Sequence, residues 1–339
     1  MTIPRRQHHG PGRLSFPQER LFLLDRIMPG RAAYNVPTLV RVRAHLDAER
    51  LEQAARLVVS RHEVLRTRIQ LRDGDPVAEV VDDTRVELHV WDVRANSSGE
   101  LGEEEATALL AELARRPFDL GADTLLRVGV VHVADEEDLL LVVLHHAGSD
   151  HVSSNLLFAE LDAAYSALAA GAAPELPELP IQYGDYAEWQ REHLKGAQLD
   201  ELLEYWTTQL AGAPERLELP SDRPRPAAQS YRGALHEFTI PAAEADPIRA
   251  LARGQGTSTF MVLLAAFAAL VHRYTAVEDL VVGVPVSGRH YDEIANLLGY
   301  FSNTLALRTD LSGEPTFAEL LARVKMTTLE AQIYQELPF

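Results

Sequence analysis

Six consecutive apolar residues, Leu139-Leu140-Leu141-Val142-Val143-Leu144, run straight into His145 and His146. A short unbroken apolar run reads as a strand covered on both faces, so the chain must build layers on either side of it. Two imidazoles then emerge at the end of that core strand. A turn follows that contains a carboxylate and a third imidazole, spelling His145-His146-Ala147-Gly148-Ser149-Asp150-His151. Histidine is the side chain most easily set to hold or move a proton near neutral pH. A strand-end cluster of this kind is therefore a candidate site, against the plainer reading of a polar surface loop.

The rest of the pattern mixes strands and helices. Residues 38–43 read as a strand, and Asp47 is placed to cap a helix carrying Leu51, Ala55, Val58 and His62 at helical spacing. Alternation predicts strands at 65–71, 77–81 and 86–90, with the turn Asp73-Gly74-Asp75-Pro76 between the first two. A helix over 103–115 stops at Pro117. Strands at 125–133 and 139–144 form a hairpin feeding the histidine loop, and Ser153 or Ser154 caps a helix to about 168. Residues 169–180, with Gly171, Pro174, Pro177 and Pro180, read as a linker. Beyond it come helices at 183–194 and 199–210, a strand at 234–240, helices at 242–253 and 259–274, strands at 280–284 and 304–308, and a helix over 315–333. The fold class is α/β (α+β), and 339 residues are more than one core usually serves, so two lobes are expected.

Charge and composition narrow the function. There are 50 acidic against 32 basic residues, a net charge of −18, which argues against a nucleic-acid partner. The chain has no cysteine, hence no disulfide framework and no thiolate chemistry. The longest apolar region, 260–271, falls short of the ~20 residues that span a bilayer. The N-terminus lacks the apolar core of a secretory signal, so a cytoplasmic protein with no membrane partner is expected. His8-His9 reads as part of a mobile polar tail over residues 1–14.

Six motifs in a fixed order carry a resemblance. Besides the histidine loop they are Ser15-Phe16-Pro17-Gln18-Glu19-Arg20; Arg61-His62-Glu63-Val64-Leu65-Arg66-Thr67; Tyr183-Gly184-Asp185-Tyr186-Ala187-Glu188-Trp189; Leu298-Gly299-Tyr300-Phe301-Ser302-Asn303-Thr304; and Tyr334-Gln335-Glu336-Leu337-Pro338-Phe339. In this order they resemble the condensation domains of nonribosomal peptide synthetases, from Ser15 to the last residue. The family motif of two histidines, three variable residues and aspartate ends on glycine; here His151 stands in its place. The chain also stops inside the sixth motif, as a C-terminally truncated domain would.

The resemblance implies two chloramphenicol acetyltransferase-like lobes, here 15–175 and 176–339, the second incomplete at its end, in a V-shaped pseudo-dimer with a central tunnel. Donor and acceptor peptidyl carrier proteins would bring thioesters on phosphopantetheine arms, beside synthetase neighbours such as an adenylation domain. No cofactor is bound directly and no metal is expected. Aminolysis of a thioester needs a neutral amine, held geometry and oxyanion stabilisation; the absence of cysteine and of a Gly-x-Ser-x-Gly elbow agrees with direct transfer.

The resemblance places His146 beside the attacking amine, where it accepts a proton or only orients it. His145 points to the opposite face by strand alternation. Asp150 holds the loop through an arginine, Arg289 first and Arg61 second. Channel candidates are His151, Ser149, Gly148, Asn303 and Ser302. Asn303 could equally satisfy backbone groups. His151 could point outward, narrow the acceptor path, handle a proton or mark an inactive relative. Trp189 and Trp206 read as core. Three rivals remain: a non-catalytic recruitment module, an ester-forming relative, and a metal-dependent hydrolase using His145, His146, Asp150 and His151.

Overall fold

The computed structural model describes residues 2–7, 10–94, 100–226, 229 and 233–339. His8 and His9 lie outside these residues.

The chain forms two compact units, residues 1–195 with 287–302, and residues 196–286 with 303–339. This division differs from the expected one at 175/176. Residues 176–195 belong with the first unit because Leu179, Ile181, Tyr183 and Tyr186 are buried in its core.

The first unit is built from β1 (Gly12–Arg13), α1 (Phe16–Ile27), β2 (Asn35–Val42), α2 (Ala48–Arg61), β3 (Thr67–Arg72), β4 (Asp75–Val80), β5 (Glu87–Asp92), α3 (Glu100–Arg115), β6 (Leu126–Ala134), β7 (Glu137–His145), α4 (His151–Ala169) and α5 (Tyr183–His193). Its main sheet has the order β2-β7-β6-β5; β5 and β6 run parallel and the other pairs antiparallel. The apolar run thus forms an interior strand, buried from Asp138 to His145. Burial on both faces is why that strand is continuously apolar, whereas β2, with every second residue more exposed, alternates. A second sheet, β1-β4-β3, is antiparallel. Asp47 caps α2 by accepting from the Arg50 amide at 2.9 Å. Ser15 and Gln18 form a reciprocal capping box on α1.

Residues 2–7 and 10–14 are not a loose tail. Ile3 and Leu14 are buried in the core, Arg6 lies 2.5 Å from Glu63, and β1 pairs with β4.

The second unit contains α6 (Gly196–Gln209), α7 (Ala242–Gly254), α8 (Thr259–Thr275), β8 (Asp279–Val286), β9 (Asn303–Asp310) and α9 (Phe317–Ile333). Its core gathers Trp206, Met261, Ala265, Leu280, Leu305, Leu307, Leu321 and Val324 around the antiparallel pair β8-β9. Residues 234–240 are not a strand: Leu235 and Phe238 are 85% and 77% exposed. Alternation alone cannot make a strand without a neighbour to accept its backbone bonds. No single helix among the described residues is long and apolar enough to cross a membrane.

Candidate active site

The loop after β7 is closed by its own backbone. The Gly148 amide donates to the His145 carbonyl at 2.9 Å, and the His146 amide donates to the Tyr34 carbonyl at 2.9 Å. Gly148 is buried against Leu125, whose Cδ1 would lie 3.0 Å from an added Cβ. Ser149 is 1% exposed, and its hydroxyl donates to the His145 carbonyl at 3.1 Å. Neither Gly148 nor Ser149 presents a side chain to a channel: one is a packing glycine, the other a loop tie.

The two adjacent histidines have opposite fates. His145 is buried with its ring edge-on to Phe118, and its Nδ1 accepts from the Ala147 amide at 3.1 Å. Desolvation, with the nearby charges of His146 and Arg127, pushes its pKa down to about 4. It is therefore a neutral packing and turn-closing residue near pH 7. His146 is half-buried, with its ring against Tyr300 at 4.2 Å between centroids. Its Nδ1 lies 2.6 Å from the Ser149 carbonyl oxygen. A carbonyl can only accept, so Nδ1 carries the hydrogen and the lone pair of the neutral ring sits on Nε2. The loop thus fixes a tautomer.

Tyr300 is itself held. Arg20 Nη2 donates to its hydroxyl at 3.1 Å, and the Tyr183 hydroxyl donates to its carbonyl at 2.8 Å. Burial pushes the Tyr183 hydroxyl well above its ordinary pKa, so it remains a donor. Gln18 Nε2 donates to the Ala147 carbonyl at 2.9 Å, joining α1 to the histidine loop. Gln18, Arg20, Tyr183 and Tyr300 all lie within the ordered motifs, but nothing local in the sequence marks their mutual contacts.

Asp150 is 2% exposed and caps α4, the role expected of Ser153 or Ser154. One carboxylate oxygen accepts from the Ser153 amide at 2.8 Å, the Ser153 hydroxyl at 2.7 Å and Arg289 Nη2 at 3.0 Å. The other accepts from the Phe301 amide at 3.2 Å. Arg289 also donates to the carbonyls of Ile294 and Leu297 and lies over the Phe301 ring. Asp150 therefore fastens the 287–302 segment to the histidine loop, inside the first unit. Gly288, at φ +66°, leaves no room for a Cβ beside the Phe301 carbonyl.

Arg61 is not a partner of Asp150. Its Nε donates to Glu160 at 3.1 Å, and Glu160 also lies 2.8 Å from Nε2 of the fully buried His62. Burial alone would raise the Glu160 pKa, but His62 and Arg61 outweigh it and hold the carboxyl below its ordinary value. This second knot ties α2 to α4.

His151 is the first residue of α4, exposed, and absent from the positive-φ positions. No glycine-only backbone is required there, which removes the conformational objection to histidine. Asn303, in the second unit, satisfies backbone: its amide nitrogen donates to the Gln335 and Leu337 carbonyls, and its oxygen accepts from the Phe339 amide at 3.0 Å. Ser302 is half-buried at the end of the returning segment. Trp206 is core, donating to the Tyr334 carbonyl, and Trp189 packs on Tyr186 and Tyr291. His145, His146, Asp150 and His151 do not gather as a metal-sized ligand group among the described residues, because the two imidazoles face different surroundings.

A family model described as Condensation domain matches residues 9–339, and the chain belongs to that family, whose reaction is peptide-bond formation in nonribosomal peptide synthesis. A linear gramicidin synthase of Brevibacillus parabrevis is 46% identical over 339 residues, covering 100% of this chain and 4% of that protein. The chain thus spans a small part of this curated relative. Among solved structures, the X-domain from teicoplanin biosynthesis in complex with OxyB matches with TM-score 0.86 and 30% identity, over 100% of this chain and 75% of that one. The first condensation domain of the calcium-dependent antibiotic synthetase, solved with a substrate analogue, matches in fold with TM-score 0.84 at 23% identity, over 97% of this chain and 76% of that one.

Proposed function

We propose that this chain catalyses amide-bond formation between two carrier-bound substrates, with His146 Nε2 beside the acceptor amine. The observation that carries the reading is the fixed tautomer: Nδ1 is committed to the Ser149 carbonyl, so Nε2 is the acceptor. The amine nitrogen attacks the donor's thioester carbonyl. The tetrahedral intermediate collapses with loss of the thiol, and the proton shed by the amine reaches the departing sulfur. His146 accepts that proton on Nε2 or orients the amine so that it attacks unprotonated. Asp150 and Arg289 act by positioning: they hold Tyr300 and the loop around the imidazole. His145, neutral and buried, shapes the turn and takes no proton near pH 7.

Carrier proteins would present both substrates on phosphopantetheine arms, and an adenylation domain is the natural neighbour in a synthetase. His146→Ala should abolish product formation, read by mass spectrometry of carrier-bound products in the intact protein, with the fold retained by circular dichroism. Undiminished product would overturn the assignment of His146.

A second reading is favoured by the fold match to an X-domain seen in complex with OxyB. On it, the chain would recruit a carrier-bound peptide for another enzyme. It predicts carrier binding with no condensation product from wild type.

A further inference from the structure

At the opposite end of β7 from His146 lies a second polar cluster that the proposed chemistry does not use. His132 on β6 and Asp138 on β7 are direct cross-strand partners. Their Nδ1 and Oδ1 atoms are 2.8 Å apart. His45, in the loop between β2 and α2, brings its Nδ1 to 3.8 Å from the other Asp138 oxygen. The two imidazole rings lie 4.3 Å apart between centroids, and one ligand atom from each of the three residues falls within 4.8 Å of the others. The β6 register shifts between His132 and Ala134, a bulge of the kind that re-aims side chains beside functional sites.

We propose that His45, His132 and Asp138 bind a divalent transition-metal ion of the Zn²⁺ class. Charge supports this. The Asp138 side chain is fully buried, and among the described residues its partners are the two imidazoles and the Leu46 amide, which donates at 2.6 Å. The nearby guanidinium, Arg94, is taken up by Asp92 and Asp135. A buried carboxylate without a permanent cation is costly, and a metal ion supplies that charge. Two imidazoles and one carboxylate suit zinc, and are a poor set for Mg²⁺ or Ca²⁺, which take oxygen ligands. The His45 side chain is 48% exposed, so the site opens to solvent and leaves room for water as a further ligand. The ion would tie the β2–α2 loop to the β6–β7 hairpin. Eight residues of extended chain separate Asp138 from His146, roughly 25 Å, so the site is distinct from the histidine loop.

The test is zinc binding to the untagged chain, by competition with a chromogenic chelator, together with thermal unfolding with and without Zn²⁺. Wild type should bind one Zn²⁺ per chain through this cluster and unfold several degrees higher with it. His45→Ala, at an exposed position that leaves the core intact, should lower affinity at least about tenfold and abolish the thermal shift. His146→Ala should keep both. Equal binding by wild type and His45→Ala, or no binding by wild type, would overturn the proposal. Loss of binding in His146→Ala would do the same, since it would move the site to the histidine loop.

Discussion

The two ends of β7 each carry a buried aspartate, and they are satisfied in different ways. At the C-terminal end, Asp150 meets Arg289, a serine hydroxyl and two backbone amides. At the N-terminal end, Asp138 meets two imidazoles and one amide. A guanidinium is always charged, so the first carboxylate is locked into one structural state. Imidazoles carry no permanent charge, so the second is open to whatever cation the surroundings offer. One strand thus presents a rigid support for a reactive histidine at one end and a ligand-competent cluster at the other.

The largest expected effect breaks the closed end. Asp150→Ala leaves Arg289 buried and unpaired and should cost about 3–5 kcal/mol, read as a lowered chemical-denaturation midpoint. If Asp150→Ala and Arg289→Ala each cost that much, the double variant should cost clearly less than their sum. Strict additivity would mean that the pair does not act as a unit.

Next comes the pH response of the same loop. The folded-state pKa of His145 is depressed to about 4, while an unfolded histidine titrates near 6.5. The unfolded chain therefore binds the extra proton first as pH falls, and the stability conferred by neutral His145, present above about pH 6.5, is lost toward pH 4. The full swing is on the order of 3 kcal/mol. His145→Gln should flatten the stability slope in that window, even if it lowers stability at pH 7. An unchanged slope would show that His145 is not held neutral.

The smallest effect is expected at His151. Because the residue is exposed and its backbone is not glycine-specific, His151→Gly should change stability by less than about 1 kcal/mol. A large change in stability would show that this imidazole is built into the loop.

The local frame was legible in the sequence because short-range physics governs it. The apolar run became an interior strand, Asp47 capped α2, and the periodic segment at 259–274 became α8. Local pattern failed where the deciding partner was distant or missing. Alternation at 234–240 suggested a strand, but Leu235 and Phe238 have no neighbour to cover them. Ser153 was a plausible cap until Asp150 took the amide and Ser153 turned to Gly299. Asp150 and Arg289 lie 139 residues apart, and only family likeness, not periodicity, suggested that they meet. The Tyr300 ring against His146 and the His45–His132–Asp138 cluster come from strand register and loop placement, which residue types alone do not specify.

The central claim, that His146 Nε2 serves the acceptor amine, is tested most directly by single-turnover product formation from matched donor and acceptor carrier thioesters, comparing wild type with His146→Ala. Loss of product by a factor of roughly 10² or more, with carrier binding and fold retained, is the predicted result. Equal rates in the two proteins would contradict it.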